Sequence, residues 1–88
     1  MKIKDGYILR EIAEIPVAVP VNDAARSFNG MIRLNSTGAF LWWLLERKME
    51  KEQLAEACVC RYRIDRSEAE KHATEFLDLL RKNGLLDE

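Results

Sequence analysis

The sequence predicts an α+β fold in which three antiparallel strands precede three helices. Branched residues alternate in the first third of the chain, and apolar residues recur at helical spacing over the remainder. Segregated strands and helices are typical of α+β folds, and a small sheet buries a face only when helices cover it. The 88 residues, 48% of them hydrophobic and 33% charged, predict one globular domain over residues 1–88.

The first two predicted strands are separated by two residues. Tyr7–Ile12 forms the first strand, and residues 15–21 form the second. Ala13 and Glu14 would make the tight turn between them, although neither residue favours the positive φ of a two-residue hairpin. A loop over residues 22–27 follows the second strand.

Prolines and a glycine distinguish the second strand from the third. Pro16 and Pro20 cannot donate to a ladder, and their spacing of four places both on one side of the second strand. That side should pair poorly. Residues 28–34 form the third strand, in which Gly30 indicates a bulge or a close approach of another backbone.

An intensely apolar segment follows the third strand. Asn35, Ser36 and Thr37 can each cap a helix start, and the seven residues 39–45 are all apolar. Both tryptophans lie here, so we expect a helix over residues 37–47 that organises the core. In this interpretation the segment holds the fold together and does not itself contact a ligand.

Two further helices complete the chain. The second begins near Glu50, and the third begins with Asp65 as its cap and ends at Asn83 before Gly84. Residues 85–86 then fold back as an apolar tail. The third helix has an apolar stripe of Ala69, Ala73, Phe76, Leu77 and Leu80. A three-helix unit attached to a short sheet is the composition of a winged helix-turn-helix.

Charge and cysteine use exclude several classes of protein. The net charge is −1, with 14 basic and 15 acidic residues, which argues against a nucleic-acid partner. Cys58 and Cys60 point about 200° apart on a helix, so they cannot share a metal or form a disulfide there. Free thiols, the short apolar runs and the lack of a signal peptide predict a cytoplasmic protein with no membrane partner.

No catalytic constellation is visible in the sequence. His72 is the only histidine, and phosphate loops, nucleophile elbows and Cys/His pairs at catalytic spacing are all missing. We therefore expect no enzyme activity, no cofactor and no metal.

Three kinds of non-catalytic function remain open. A winged helix can bind DNA, but the third predicted helix has five acidic residues against four basic ones between Asp65 and Asn83. An edge strand beside a helix can capture an extended peptide by strand addition, and the proline-free third strand is the natural candidate. The third possibility is a structural or dimerising module, in which a second copy or the C-terminal tail covers that edge.

A resemblance favours peptide capture. Residues 34–42, Leu-Asn-Ser-Thr-Gly-Ala-Phe-Leu-Trp, are similar to the Leu-Asn-x-Thr-(Gly/Ala)-x-x-(Ile/Leu)-Trp signature of the PqqD family. This family consists of standalone recognition elements for precursors of ribosomally made, post-translationally modified peptides (RiPPs). Residues 7–10 and 28–34 resemble its first and third strands, and residues 76–86, which end in Gly-Leu-Leu, resemble its closing helix.

The resemblance implies a binding function without chemistry. Family members bind the leader of a precursor peptide as an added strand and present it to a modifying enzyme, a radical S-adenosylmethionine (SAM) protein in the biosynthesis of pyrroloquinoline quinone (PQQ). The protein itself would be a monomer or a homodimer. Carried over to this chain, the implied peptide-binding residues are Gly30, Met31, Ile32, Arg33, Leu34, Lys71, His72, Glu75, Leu79 and Lys82.

One segment departs from the family pattern. Members often have Asp-Gly and then Ser or Thr between the first two helices, where the hydroxyl caps the second. Residues 46–51 contain neither a glycine nor a hydroxyl residue. The start of the second helix is therefore the least defined boundary of the prediction.

Overall fold

A computed structural model describes residues 1–21 and 31–88. Within them a three-stranded antiparallel sheet precedes three helices, which confirms the predicted α+β, winged-helix-like fold. In chain order the elements are β1 (Lys2–Ile3), β2 (Tyr7–Ile12), β3 (Ile15–Pro20), β4 (Ile32–Arg33), α1 (Ser36–Leu45), α2 (Lys51–Tyr62), α3 (Arg66–Lys82) and β5 (Leu86–Asp87). The predicted loop over residues 22–27 and residues 28–30 of the predicted third strand lie outside the described residues.

The main sheet has the strand order β2-β3-β4. Both pairings are antiparallel, with Arg10 opposite Val17 in the first and Ala18 opposite Ile32 in the second. The first two predicted strands are confirmed to within one residue. β4 is shorter than the predicted third strand in its described part, since only Ile32 and Arg33 have strand geometry there.

The turn between β2 and β3 has the backbone of a two-residue hairpin without the residues that favour it. Ala13 has φ 52° and Glu14 has φ 67°. Both angles lie in the left-handed region, where a Cβ atom approaches the following carbonyl oxygen. The right-handed twist of the flanking strands imposes this turn, so the sheet overrides the local preference of both residues.

The two prolines of β3 face the same neighbour. The carbonyl oxygen of Pro16 accepts a hydrogen bond from Leu34 N at 2.8 Å, so the backbone of Pro16 points toward β4. Pro20 has the same parity and points the same way. This side of β3 lacks two donors, and within the described residues β4 pairs with it at Ile32 and Arg33.

α1 begins with a tight cap that follows β4 directly. The side chain of Asn35 accepts a hydrogen bond from Gly38 N at 2.7 Å. A Cβ atom on Gly38 would lie 3.2 Å from Asn35 Oδ1 and 3.3 Å from Leu34 Cβ, which is closer than ordinary van der Waals contact. The Leu-Asn-x-Thr-Gly motif is therefore the local packing that turns the chain from β4 into α1.

The core lies between the sheet and the three helices. Trp42 is fully buried, and Leu41 and Leu45 flank it on α1. Within the described residues the indole N–H of Trp42 has no hydrogen-bond partner. The predicted stripe of α3 is buried along its whole length: Ala69, Ala73, Phe76, Leu77 and Leu80.

α2 starts where the sequence left its boundary undefined. Glu50 is its N-cap residue, and the Gln53 side chain accepts a hydrogen bond from Glu50 N at 2.8 Å. The Gln53 side chain thus satisfies a backbone N–H at the helix start, in the absence of a hydroxyl cap. The helix ends at Tyr62, and the φ of 54° at the C-cap residue Arg63 places it in the left-handed conformation.

A second, two-stranded sheet was not predicted. β1 pairs antiparallel with β5, and Lys4 N donates to Leu85 O at 2.7 Å. Leu85 is fully buried. The apolar tail predicted after Gly84 therefore folds back onto the core, as expected, and also joins the two ends of the described chain.

Candidate functional site

One edge of the main sheet is the starting point for the site. In an antiparallel pair, residues alternate between those bonded to the neighbouring strand and those that point away from it. Leu34 N bonds Pro16 O, and Ile32 lies opposite Ala18, so both residues point toward β3. The backbone N–H and C=O of Arg33 therefore point away from the sheet. No other strand pairs with β4 on that side among the described residues.

Helix α3 forms the opposite wall. His72, Glu75, Phe76 and Leu79 recur at the spacing i, i+3, i+4 and i+7, which places them on one face of the helix. Phe76 is buried and Leu79 is partly buried, whereas Glu75 is exposed. This wall therefore has apolar side chains at its base and a polar side chain at its rim.

A cavity of about 290 Å³ lies between these walls. Its lining residues come from the end of β4, the first two turns of α1 and the middle of α3: Arg33, Leu34, Asn35, Thr37, Gly38, Leu41, His72, Glu75, Phe76 and Leu79. We call this cavity and the adjoining β4 edge the β4–α3 groove. It combines outward backbone groups with a neighbouring recess that has both apolar and polar lining residues, which is a geometry that strand addition uses.

The groove has one charge of each sign on its two walls. Arg33 lies on the strand wall and Glu75 on the helix wall. Neither residue forms an ion pair within the described residues. His72 is one-third exposed, and its Nε2 lies 3.9 Å from Glu68 Oε1 on the same helix.

The structure brings half of the ten predicted binding residues to this cavity. Its lining includes five of them: Arg33, Leu34, His72, Glu75 and Leu79. The other described members lie elsewhere: Met31 is 60% exposed, Ile32 is in the core, and Lys71 and Lys82 are exposed outside the cavity lining. Gly30 lies outside the described residues.

Five lining residues were not predicted. Phe76 and Leu41 were assigned to the core alone, and Asn35, Thr37 and Gly38 were expected to hold the groove without taking part in it. The chain passes from β4 into α1 with only two residues between them, Leu34 and Asn35. This short connection was the available signal, because it places the first turn of α1 at the end of the β4 edge.

The cysteines lie apart from the groove and match their predicted environments. Cys58 is buried, and burial raises the pKa of its thiol. Cys60 is exposed, and neither cysteine forms a disulfide. Among residues 1–21 and 31–88, no group of three or more His, Cys, Asp or Glu side chains is arranged to hold a metal ion. No helix in these ranges has the length and apolar character needed to cross a membrane.

Comparison with known proteins identifies the family. A sequence profile described as Coenzyme PQQ synthesis protein D (PqqD) matches residues 17–86, which is most of the chain. The chain belongs to the PqqD family. The match covers β4, the three helices and therefore every described residue of the groove, and it confirms the resemblance seen in residues 34–42.

Two solved structures share this PqqD fold. The first, TbiB1 in complex with the TbiA(beta) leader peptide, has a TM-score of 0.78 and 26% identity over 99% of this chain and 95% of that one. The second, lasso peptide synthetase B1 complexed with the leader peptide, has a TM-score of 0.75 and 17% identity over 96% and 93%. No curated protein sequence matches the chain.

Proposed function

We propose that this chain is a non-catalytic module that captures the leader of a ribosomally made precursor peptide and presents it to a modifying enzyme. The observation that carries the proposal is the β4–α3 groove, where outward backbone groups of Arg33 border a recess of apolar and polar side chains. Membership of the PqqD family supports it. So does the likeness to TbiB1, which was solved with a leader peptide bound.

Strand addition explains how such a groove would hold a peptide of little fixed structure. An added strand lies about 4.8 Å from β4 and exchanges hydrogen bonds with the outward N–H and C=O of Arg33. Alternate side chains of the peptide then face α3, where Phe76 and Leu79 offer an apolar surface. Main-chain bonds supply affinity in this arrangement, and the recess supplies selectivity.

The chemistry belongs to a partner in this proposal. Family resemblance implies a modifying enzyme of the radical SAM type, in PQQ synthesis or in another RiPP pathway. An exposed apolar cleft that includes Leu9, Phe40 and Trp43 lies between the β2–β3 hairpin and α1, outside the groove. Contiguous exposed apolar surface is typical of protein contacts, so this cleft supports a protein partner in addition to the peptide.

The remaining parts of the proposal concern context. We infer one domain over residues 1–88 that acts in the cytoplasm as a monomer or homodimer. The free thiols of Cys58 and Cys60 support a reducing compartment. DNA binding is disfavoured because the charges of α3 are mixed along the helix, with ion pairs Arg66–Glu70 and Arg81–Asp78.

Titration of the protein with precursor peptides encoded beside its gene tests the proposal. We expect NMR shifts concentrated at β4 and on the His72–Leu79 face of α3. Arg33→Pro removes the outward N–H together with the arginine side chain and leaves the Leu34–Pro16 bond in place, so it should weaken binding at least about tenfold without unfolding the protein. Arg33→Ala keeps the backbone donor and is the matched control. Peptide binding that Arg33→Pro leaves unchanged would contradict capture at this edge.

A further inference from the structure

Glu75 differs from the other carboxylates of α3. Glu68 lies 3.9 Å from His72. Glu70 lies 4.0 Å from Arg66, and Asp78 lies 3.1 Å from Arg81. Among the described residues, Glu75 alone of these four has no Lys, Arg or His side chain within ion-pair distance, and it alone lines the β4–α3 groove.

The neighbours of Glu75 explain why its carboxylate remains unpaired. Lys71 lies one turn earlier, but a lysine N-terminal to a glutamate is the less favourable order for an i,i+4 pair. His72 lies beside Glu68, and Arg33 lies on the opposite wall of the groove. The carboxylate is thus solvated in the free protein and available to a ligand.

Leu79 lies one turn after Glu75 on the same face of α3, and Phe76 lies between them in sequence. A side chain that enters the groove from an added strand would therefore meet apolar surface first and a carboxylate next to it. A long aliphatic stem with a cationic end fits this order, since it covers the apolar surface and keeps its charge at the rim.

The alternatives fit less well. A leucine at that position would cover Leu79 but would shield the Glu75 carboxylate from water without offering it a donor, which is unfavourable. An aspartate or glutamate would place like charges side by side. The expected order of preference is lysine or arginine, then an aliphatic residue, then an acidic residue.

We infer that the bound leader carries a lysine or arginine at the position that faces Glu75, and that Glu75 is the residue of this chain that selects it. This inference rests on the proposed function. It adds a chemical class of ligand: an extended peptide with a basic residue among its α3-facing side chains.

Selection from a phage-displayed library of random peptides tests the inference without knowledge of the natural leader. Peptides of about 15 residues are long enough for one strand of about 5–6 residues with flanks. The protein is used as wild type, as Glu75→Gln, as Glu75→Lys and as Glu70→Lys, which makes the same charge change on α3 outside the cavity. Each selected peptide is then measured against Arg33→Pro, which reports whether it binds at β4.

We expect the wild type and Glu70→Lys to enrich lysine or arginine at one fixed position of the β4-dependent peptides. Glu75→Gln should bind those peptides about two- to fivefold more weakly, the range of an exposed ion pair. Glu75→Lys should enrich aspartate or glutamate at that position. The inference would be overturned if the peptides that Arg33→Pro binds weakly showed the same residue preference at that position in wild type and Glu75→Lys. This result would leave the proposed function standing. Selected peptides that Arg33→Pro binds as tightly as wild type would contradict both.

Discussion

The backbone N–H of Leu34 donates to the carbonyl oxygen of Pro16 at 2.8 Å. This one bond fixes the parity of β4, because neighbouring residues of a strand point their backbone groups to opposite sides. Leu34 faces the sheet, so Arg33 presents its N–H and C=O to the groove. Pro16 has no N–H to return the bond, yet its carbonyl is enough to hold the register.

The β2–β3 turn should be a site of stabilisation. Replacing Glu14 with glycine removes a Cβ atom from a backbone with φ 67°, and should raise the free energy of unfolding by about 1 kcal/mol. Chemical denaturation of both proteins measures the difference. Glu11→Gly, at the next-to-last residue of β2, is the control and should destabilise instead. A destabilised Glu14→Gly protein would contradict the assigned turn geometry.

The cap of α1 should contribute measurable stability. Asn35→Ala removes the acceptor for Gly38 N and should lower the free energy of unfolding by about 1 kcal/mol, whereas Asn35→Asp keeps an acceptor and should lower it less. Thermal unfolding of the two variants makes the comparison. Equal losses for alanine and aspartate would show that the side-chain bond is not the source of the effect.

Neighbouring leucines on α3 should separate binding from stability. Leu80 is fully buried, so Leu80→Ala should cost about 2–5 kcal/mol of unfolding free energy. Leu79 is only partly buried and lines the groove, so Leu79→Ala should cost less stability but weaken peptide binding. Denaturation and calorimetry with a precursor peptide measure the two effects. A Leu79→Ala protein with wild-type peptide affinity would exclude a contact between Leu79 and the peptide.

The two cysteines should react very differently. Cys60 is exposed and should be alkylated in the native protein, whereas buried Cys58 should react only on unfolding. Burial raises the pKa of the Cys58 thiol, so the unfolded thiol ionises at lower pH than the folded one. Stability should therefore fall as the pH rises above about 8.5, the ordinary thiol value. Cys58→Ala should lack this component of the pH dependence, and Cys60→Ser should retain it.

Strong local patterns made most of the fold predictable. The apolar residues of α3 lie on one face of a helix, and the alternating branched residues of β3 lie on one face of a strand. Each pattern is compatible with one type of secondary structure, so these elements were predicted closely. β1 and β5 were not predicted because each has only two residues and depends on a partner 83 to 85 positions away along the chain. The cap of α2 was missed because the sequence was searched for an N-cap hydroxyl. The cap is instead the Gln53 side chain, which accepts a hydrogen bond from Glu50 N.

The groove was only partly predictable, because some of its lining residues come together only through three-dimensional packing. Arg33, His72, Glu75 and Leu79 follow from the family resemblance combined with the helical period. Lys71 and Lys82 were included because they flank the apolar stripe; both are exposed outside the cavity lining, and their contact with a peptide stays a prediction. The α1 residues Thr37 and Gly38 enter the cavity through the tight turn after β4, which is a property of three-dimensional packing.

Amide hydrogen exchange at β4 tests the central claim most directly. The protein is compared with and without a precursor peptide encoded beside its gene, at a peptide concentration that saturates binding. Leu34 N is already bonded to Pro16 O, so its exchange should change little beyond any global stabilisation. The Arg33 amide should become strongly protected, because strand addition gives its outward N–H an acceptor. Saturating peptide that leaves Arg33 exchange unchanged would contradict capture by strand addition at β4.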